Sequence, residues 1–290
     1  MVPTEGVTRL VISCPDRPGI VAAVSRFLFE EGANVISLDQ FSSDPFDGGT
    51  FFLRMEFTLP PDTRDGLPDR FGLAIAEQWR MTWRMWSSER PKRIAVLVSR
   101  EAHCLQELLW RWHRRELGGD IVLVASNHPD HRAMVESYGL PYNHVPVTAD
   151  SEGGGKPESE AQLLDLIGGR CDVAVLARYM QILSGEFLQR LAVPVINIHH
   201  SFLPAFAGAE PYRQAKERGV KLIGASAHYV TAELDGGPII EQDVIRVGHD
   251  HDIPTLTRLG ADIERTVLAR AVRWHCEDRV LRHGNQTVVF

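Results

Sequence analysis

The sequence predicts an α/β protein in two parts: a small N-terminal ferredoxin-like unit of order βαββαβ, then a Rossmann-like domain with a mostly parallel sheet. Three observations support this prediction. Apolar runs of strand length alternate with stretches of helical periodicity. A polar, Pro-containing segment at residues 88–92 separates the two parts. Beyond it, strands and helices alternate at a spacing that requires parallel neighbours. We therefore expect domains at residues 1–87 and 93–290, joined by a linker at 88–92.

In the first part, periodicity separates strands from helices. Strands are predicted at residues 7–14, 34–39, 50–58 and 80–86, and helices at 20–31 and 71–78. The turn Pro15-Asp16-Arg17-Pro18-Gly19 precedes the first helix, and Gly32 ends that helix. The resulting order is βαββαβ.

The second part repeats a strand followed by a helix. Strands are predicted at residues 93–98, 121–126, 173–176, 195–199 and 222–230, and helices at 101–116, 130–138, 156–167 and 254–277. A flexible loop is expected at 151–155. Residues 279–290 are expected to form a hairpin that turns at Gly284-Asn285.

Composition excludes several classes of protein. The chain has 290 residues, of which 44% are hydrophobic and 24% charged, as in ordinary globular proteins. A net charge of -7 argues against a nucleic-acid-binding surface, which needs a basic footprint. The four cysteines are scattered without paired spacing, so we expect reduced, mostly buried thiols. No secretion signal or membrane-spanning run is recognised, and a cytoplasmic location is expected.

The stretch from Val195 to Pro204 carries the first chemical signal. It begins as a buried strand and ends on polar residues, and the carboxyl ends of parallel strands are where α/β sheets place reacting groups. Asn197 and His199 are two residues apart, so their side chains leave the same face of the strand. A carboxamide and an imidazole together suit a carbonyl that must be polarised and protonated. A polar strand end that caps the next turn is the alternative.

A second stretch adds a carboxylate. The strand at 222–230 is followed by a loop in which Asp235 precedes Gly236, Gly237 and Pro238. Together the two stretches contain Asn-x-His, Ser-x-Leu-Pro and a Leu-Asp-x-Gly-Pro-Ile-Ile loop, in that order. In this the chain resembles the superfamily of formyltetrahydrofolate-dependent formyltransferases and hydrolases.

The loop at residues 99–104 separates branches of that superfamily. Members that formylate a phosphorylated sugar amine carry a Gly-Ser-rich phosphate loop at this place, whereas this chain has no glycine there. The segment from Glu101 to Leu105 instead resembles the deformylase branch, whose members pair the same two domains. Gln181 and Glu210 depart from the pattern, since residues that are often basic stand at those positions in the family. Both departures bear on folate affinity.

The resemblance implies hydrolysis of 10-formyltetrahydrofolate to formate and tetrahydrofolate, which balances the one-carbon pool and supplies formate for purine synthesis. It implies that Asn197 and protonated His199 bind the developing oxyanion, while Asp235 accepts a proton from water and holds His199. His199 then protonates the leaving nitrogen. Water is the only co-reactant, so neither a cofactor nor a metal ion is expected.

The resemblance also places the folate. Its ring is expected along the strand edge and its pterin against the loop at 231–235, with His228 shaping the pocket. The predicted substrate-binding residues are Leu176, Met180, Ile182, Leu183, His228, Thr231, Leu234 and Gly236.

Residues 14–22 resemble the opening of an ACT domain, a small regulatory module. That resemblance implies an amino-acid effector, glycine or methionine, and a homo-oligomer. The predicted effector-binding residues are Asp16, Arg17, Gly19 and Asn34. A structural or dimerising domain without a ligand is the alternative.

Other interpretations stay open at this point. Histidines in the loops 128–131 and 249–252 resemble metal clusters, but side chains so close on one loop rarely converge on an ion without a distant ligand. A formyltransferase with an unidentified amine acceptor is one alternative function. A catalytically idle folate or amino-acid sensor is another. Release of formate without an acceptor would separate both from the hydrolase.

Overall fold

The computed structural model describes residues 6–147, 155–205 and 211–290. The expected loop at 151–154 and Glu210 therefore lie outside the described residues. The chain forms two compact units, which divide between Pro91 and Lys92. Segments 278–283 and 288–290 belong to the first unit and not to the second, where the sequence placed them. Among the described residues, no helix is long and apolar enough to cross a membrane.

The first unit is an antiparallel sheet of four strands in the order β2-β3-β1-β4. Its elements are β1 Val7–Pro15, α1 Ile20–Glu30, β2 Asn34–Ser42, β3 Thr50–Thr58, α2 Leu67–Phe71, α3 Glu77–Trp79 and β4 Thr82–Ser87. A π-helical turn at Gly72–Ala76 joins α2 to α3, so the predicted second helix is longer and less regular than expected. The predicted βαββαβ order is confirmed.

The two faces of this sheet bury different side chains because neighbours along a strand point in opposite directions. Leu10 and Ile12 face a core that contains Phe71, whose ring meets Trp83 edge-on at 5.0 Å. Val11 and Phe52 point to the other face, where Leu281 packs against them. This apolar contact explains why the chain end joins the first unit.

The second unit is a seven-stranded sheet in the order β11-β10-β9-β8-β5-β6-β7. Its strands are β5 Lys92–Val98, β6 Gly119–Ser126, β7 Tyr142–His144, β8 Val173–Ala177, β9 Val195–His199, β10 Leu222–Tyr229 and β11 Ile239–Arg246. Its helices are α4 His103–His113, α5 Arg132–Ser137, α6 Gly155–Ile167, α7 Gly185–Leu191, α8 Pro211–Glu217 and α9 Ile253–Cys276. The chain ends with the paired strands β12 Val280–His283 and β13 Gln286–Val289, as the predicted hairpin requires.

Strand direction sets where the site lies. Strands β5 to β9 are mutually parallel, whereas β10 is antiparallel to both β9 and β11. The sheet is thus mostly parallel, as predicted. The chain builds outward from β5 in one direction through β6 and β7, then returns to place β8 on the other side of β5. In open α/β sheets, ligands bind in the crevice that such a reversal leaves at the carboxyl ends of the strands.

Register then aligns the polar residues. Asn197 on β9 lies opposite Leu176 on β8 and opposite His228 on β10. A bulge between Ala227 and His228 interrupts the pairing of β10 with β11, which re-aims the His228 side chain. Three side chains from three strands therefore form one row across the sheet.

Candidate active site

A cavity of about 460 Å³ opens at the carboxyl ends of β8 and β9. It is bounded by the segment after β8, by β9, and by the end of β10 with the loop that follows. The predicted site residues that line it are Leu176, Met180, Ile182, Leu183, Asn197, His199, His228, Thr231, Leu234 and Asp235. Among the predicted catalytic and substrate-binding residues, only Gly236 does not line the cavity. The structure therefore brings the three predicted catalytic side chains to one place.

Asp235 and His199 form the closest pair. Oδ2 of Asp235 lies 3.2 Å from Nδ1 of His199, and both side chains are largely shielded from solvent. The other ring nitrogen of His199, Nε2, is buried and has no hydrogen-bond partner among the described residues. A buried imidazole nitrogen without a hydrogen-bond partner costs folding free energy unless a ligand supplies the partner. Asp235 thus holds His199 through Nδ1, and Nε2 is available to a ligand.

His228 connects the amide to the carboxylate. Its Nδ1 lies 3.0 Å from the Tyr229 carbonyl oxygen, which can only accept, so Nδ1 carries the proton. Its Nε2 lies 3.2 Å from Nδ2 of Asn197 and 3.7 Å from Oδ1 of Asp235. Neutral His228 accepts from the Asn197 amide, whereas protonated His228 donates to Asp235. In the neutral form, the shorter contact turns the amide nitrogen of Asn197 toward the ring.

The environment of Asp235 keeps its carboxylate charged. Hydrogen bonds with His199, and then with His228, lower the pKa of Asp235 far below its ordinary value, against the opposing effect of burial. The residue also has a left-handed backbone, with φ of 53°, which is uncommon for a residue other than glycine. An ionised carboxylate in a constrained turn is suited to orienting an imidazole.

Gly237 fixes the loop that carries Asp235. A Cβ atom at this position would lie 1.8 Å from the Tyr229 carbonyl oxygen, closer than any real contact. The approach allows the Tyr229 N–H to donate to the Pro238 carbonyl at 2.9 Å, so the loop returns along β10. Only glycine permits this path, and the path sets the reach of Asp235.

A group of buried polar residues behind the cavity was not predicted from the sequence. Glu264 on α9 is 2% exposed, accepts from the Tyr212 hydroxyl at 2.6 Å, and meets Nε2 of His103 at 2.9 Å. Arg178 reaches the same carboxylate at 3.5 Å and also lines the cavity. A signal was present, since Arg178 directly follows the continuous apolar strand Val173–Ala177.

Electrostatics separate the roles of the buried groups. Burial, and then the Arg178 charge, lower the pKa of His200 to about 4, so this imidazole is neutral near pH 7. Burial by itself would raise the pKa of Glu264, but His103, the Arg178 charge and Tyr212 outweigh it and lower the value to about 2. Glu264 is therefore an anion under physiological conditions.

Potential metal ligands are few in the described part of the chain. His103, Cys104 and Glu264 bring one ligand atom each within 4.8 Å of one another. Glu264 already pairs with His103 and Tyr212, and burial raises the pKa of the Cys104 thiol, so this donor set fits a cation poorly. The loop histidines at 128–131 and 249–252 form no such group of three among the described residues.

The predicted effector residues divide into two places. Asp16, Arg17 and Gly19 lie in the turn before α1, where Arg17 donates to the Gln78 carbonyl at 2.8 Å and Gly19 is left-handed with φ of 98°. Pro15 pairs with Thr50 at one end of β3, whereas Asn34 pairs with Thr58 at the other end. Eight residues of strand span about 27 Å. One copy of this unit therefore does not bring Asn34 to the turn.

All four cysteines are buried, as predicted, and none forms a disulfide, which agrees with their scattered spacing.

Comparison with known proteins identifies the relatives of both units. The family described as formyl transferase matches residues 92–272, and the ACT domain family matches residues 8–65. A formyltetrahydrofolate deformylase of Mycobacterium tuberculosis strain H37Rv is 54% identical over 286 residues, which covers 98% of this chain and 91% of that protein.

Solved structures agree. A formyltetrahydrofolate deformylase from Pseudomonas syringae pv. tomato has a TM-score of 0.90 and 51% identity, and the match covers 98% of this chain and 94% of that one. A glycinamide ribonucleotide transformylase from Symbiobacterium toebii has a TM-score of 0.63 and 31% identity, over 69% of this chain and 94% of that one. The chain therefore belongs to the formyltetrahydrofolate deformylase family, with an ACT domain followed by a formyl transferase domain.

Proposed function

We propose that this chain hydrolyses 10-formyltetrahydrofolate to formate and tetrahydrofolate. The observation that carries the proposal is the convergence of Asn197, His199 and Asp235 at the end of the cavity. The names of relatives that match almost the whole chain support the substrate and the reaction.

The reaction is an acyl transfer to water. The water oxygen adds to the formyl carbon, the carbonyl oxygen gains negative charge, and the bond from carbon to nitrogen then breaks as the nitrogen takes a proton from protonated His199. The added water brings two protons: one restores the proton of His199, and the other is released when the product ionises to formate. Donors aimed at the developing oxyanion are worth ~10²–10³ in rate each. The remaining N–H of the Asn197 amide and the unpartnered Nε2 of His199 are the donors available for this work.

The pair with His199 gives Asp235 a positioning role. A carboxylate whose pKa lies below its ordinary value is a weaker base, so proton transfer to it from water is less favourable. It remains ionised across the neutral range and can hold His199 through Nδ1 at 3.2 Å. In its protonated form His199 carries a hydrogen on Nε2 as well as on Nδ1, so Nε2 can donate to the oxyanion and afterwards protonate the leaving nitrogen. This refines the expectation that Asp235 is the base.

The cavity also suits a flat, largely apolar ligand. Met180, Ile182 and Leu234 line it, although each keeps more than half of its surface exposed. Large apolar side chains exposed together mark a surface that a ligand covers. A cavity of about 460 Å³ lies in the usual range for small-molecule sites. We therefore place the pterin and its neighbouring ring against these side chains.

The test is to incubate the purified protein with 10-formyltetrahydrofolate alone and to measure formate. Release without an acceptor supports hydrolysis. Release only after an amine is added would instead establish the formyltransferase alternative, and no release under either condition would leave only a sensor. Heat-denatured protein and buffer controls correct for spontaneous loss of the formyl group.

We further propose that the ACT domain binds glycine or methionine and that the chain forms a homo-oligomer. The edge strand β2 exposes Val35, Ile36, Leu38 and Phe41, and an unpaired edge with apolar side chains is a natural surface for another copy. A second copy would also supply an Asn34 near the turn of the first, which one copy does not do. Buried cysteines without disulfides suit the reducing cytoplasm, which is the location we propose for the enzyme.

Calorimetry with each amino acid and sedimentation of the full-length protein test this second proposal. Substitution of Asp16 by Asn should weaken effector binding without a change in the unregulated rate. If no amino acid binds and the protein sediments as a monomer, the ACT domain is structural.

A further inference from the structure

Arg178 lies at the point where the sheet reverses its order. It directly follows β8, whose neighbour is β5, and its backbone is left-handed with φ of 61°. Ser99, which follows β5, holds it there. The Ser99 N–H donates to the Arg178 carbonyl at 3.2 Å, and the Ser99 hydroxyl accepts from the Met180 N–H at 3.0 Å. Strained, well-supported backbone is typical of functional sites.

The Arg178 guanidinium has few partners for its five donors. Nε and Nη1 are buried and donate no hydrogen bond to any described residue. Its one ion-pair partner among those residues is Glu264, and the distance from Nε to Oε2 is 3.5 Å, too long for a strong charge-assisted hydrogen bond. The side chain is 14% exposed, and the residue lines the cavity. A cation with unmet donors is thus part of the cavity wall.

Glu264 does not satisfy this cation because other groups occupy its oxygens. Oε1 accepts from the Tyr212 hydroxyl at 2.6 Å, and Oε2 lies 2.9 Å from Nε2 of His103. Gly260, one helical turn earlier on α9, leaves the space for the Tyr212 ring, since a Cβ there would lie 1.8 Å from its hydroxyl oxygen. The carboxylate is therefore fixed in place and supplies a counter-charge rather than a bidentate partner.

The cation belongs to the reacting end of the cavity. Arg178, His199 and His200 line the same cavity, and the His199 and His200 rings lie 5.2 Å apart. Neutral His200 stands beside the guanidinium without neutralising it. Asp235 is the carboxylate paired with His199, and Arg178 is a cationic hydrogen-bond donor in the wall of the same cavity.

We propose that Arg178 binds the carboxylate of the formate that the reaction produces. The proposal rests on the proposed hydrolysis. The formyl group of the substrate is neutral, and only after water has added and the bond to nitrogen has broken does the one-carbon unit become a planar anion with two equivalent oxygens. A guanidinium fork matches that shape and charge. Because it gains this partner only as the product forms, Arg178 favours the product side of the reaction.

Product inhibition tests this assignment. We would measure the inhibition constants of sodium formate and of tetrahydrofolate for the wild-type chain, Arg178→Gln, Arg178→Lys and the control Arg190→Gln. Arg190 lies on α7 with its side chain 58% exposed and does not line the cavity. Sodium chloride at matched ionic strength corrects for salt.

Arg178→Gln removes the charged donor and should raise the inhibition constant of formate about tenfold or more, which is the scale of a hydrogen bond to a charged group. Arg178→Lys keeps the charge but loses the planar pair of donors, so it should weaken formate binding less than Arg178→Gln does. Arg190→Gln should equal the wild type, and the tetrahydrofolate constant should be unchanged in every variant. A change in the tetrahydrofolate constant equal to that for formate would show general damage to the pocket and would overturn the assignment.

Binding without substrate gives an independent measurement. Carbon-13 formate should show line broadening with the wild-type chain that Arg178→Gln abolishes, whereas acetate, which is larger, should compete poorly. Glu264→Gln removes the competing carboxylate and should strengthen formate binding. If Arg178→Gln does not fold, Glu264→Gln and Arg178→Lys test whether Arg178 binds formate.

Equal formate binding by the wild type and the Arg178 variants would refute the subsite while leaving hydrolysis intact. A wild-type chain that releases no formate from 10-formyltetrahydrofolate would refute the proposed function itself, whatever the anion binding shows.

Discussion

Substitution of Gly237 by Ala tests whether the path of its loop positions the catalytic carboxylate. The new Cβ would lie 1.8 Å from the Tyr229 carbonyl oxygen and 2.9 Å from its carbonyl carbon. Both atoms belong to the backbone of a buried strand, so they cannot rotate away as a side chain could. The loop must therefore move by more than about 1 Å to reach ordinary carbon–oxygen contact.

The size of the effect follows from the contacts that such a shift breaks. The hydrogen bond from Tyr229 N–H to Pro238 is 2.9 Å, and the pair between Asp235 and His199 is 3.2 Å. An additional 1 Å removes both as hydrogen bonds. Misplacement of a catalytic group by 1 Å costs ~10²-fold in rate. Strain from overpacking should lower the free energy of unfolding by ~1–3 kcal/mol.

The assay combines initial rates of formate release with urea denaturation. Gly236→Ala is the comparator, because the atoms nearest its Cβ belong to the Glu233 side chain, the closest being the carboxyl carbon at 2.6 Å, and that side chain can rotate. We expect kcat/KM to fall ~10²-fold in Gly237→Ala and far less in Gly236→Ala. Equal activity in both variants, with wild-type stability in Gly237→Ala, would show that the loop path does not control Asp235.

Three further predictions concern the chemistry. Asp235→Asn and His199→Ala should each lower kcat by ~10²-fold or more with folate binding retained. The double variant should lose little more activity than the less active single variant, because the pair acts as one unit. Additive losses in the measured rates would show that the two residues act separately. The free energy of unfolding should fall as the pH drops from about 6.5 toward about 4, since the folded chain disfavours protonation of His200 and the unfolded chain does not; denaturation of His200→Gln should lack this component, and an unchanged slope would exclude His200 as its source. Prolonged chelation should leave the rate of formate release unchanged, and a loss that Zn²⁺ restores would reverse the assignment of a metal-free reaction.

The glycine-free segment at 99–104 supports one side of the cavity. The Ser99 N–H donates to the Arg178 carbonyl, and His103 meets Glu264, which in turn pairs with Arg178. Arg178 lines the cavity together with His199. The segment therefore acts on the cavity through Arg178.

Much of this protein could be determined from the sequence alone, wherever the controlling physics is local. Hydrophobic period distinguishes a strand from a helix, so the βαββαβ unit, the repeated strand and helix order, and the C-terminal hairpin were predicted. The spacing of Asn197 and His199 fixes both side chains on one face of β9 because side chains alternate along any strand. Asp235 was recognised through the family motif, since spacing alone does not show where a loop 36 residues later returns.

Only the tertiary structure decided the features that depend on direction and on distant partners. A buried apolar run looks the same in either orientation, so the antiparallel placement of β10 could not be predicted from its residues. The short elements β7 and α7 carry too few residues for a clear period and were not predicted. Residues 278–283 and 288–290 belong to the first unit and not to the second, because an apolar pattern does not show which face it will cover. Arg178 and Glu264 are 86 positions apart (264 − 178), and no local rule brings a strand end to a helix. The sequence pattern shows which face of each segment must be buried, whereas tertiary packing decides which other segment covers that face.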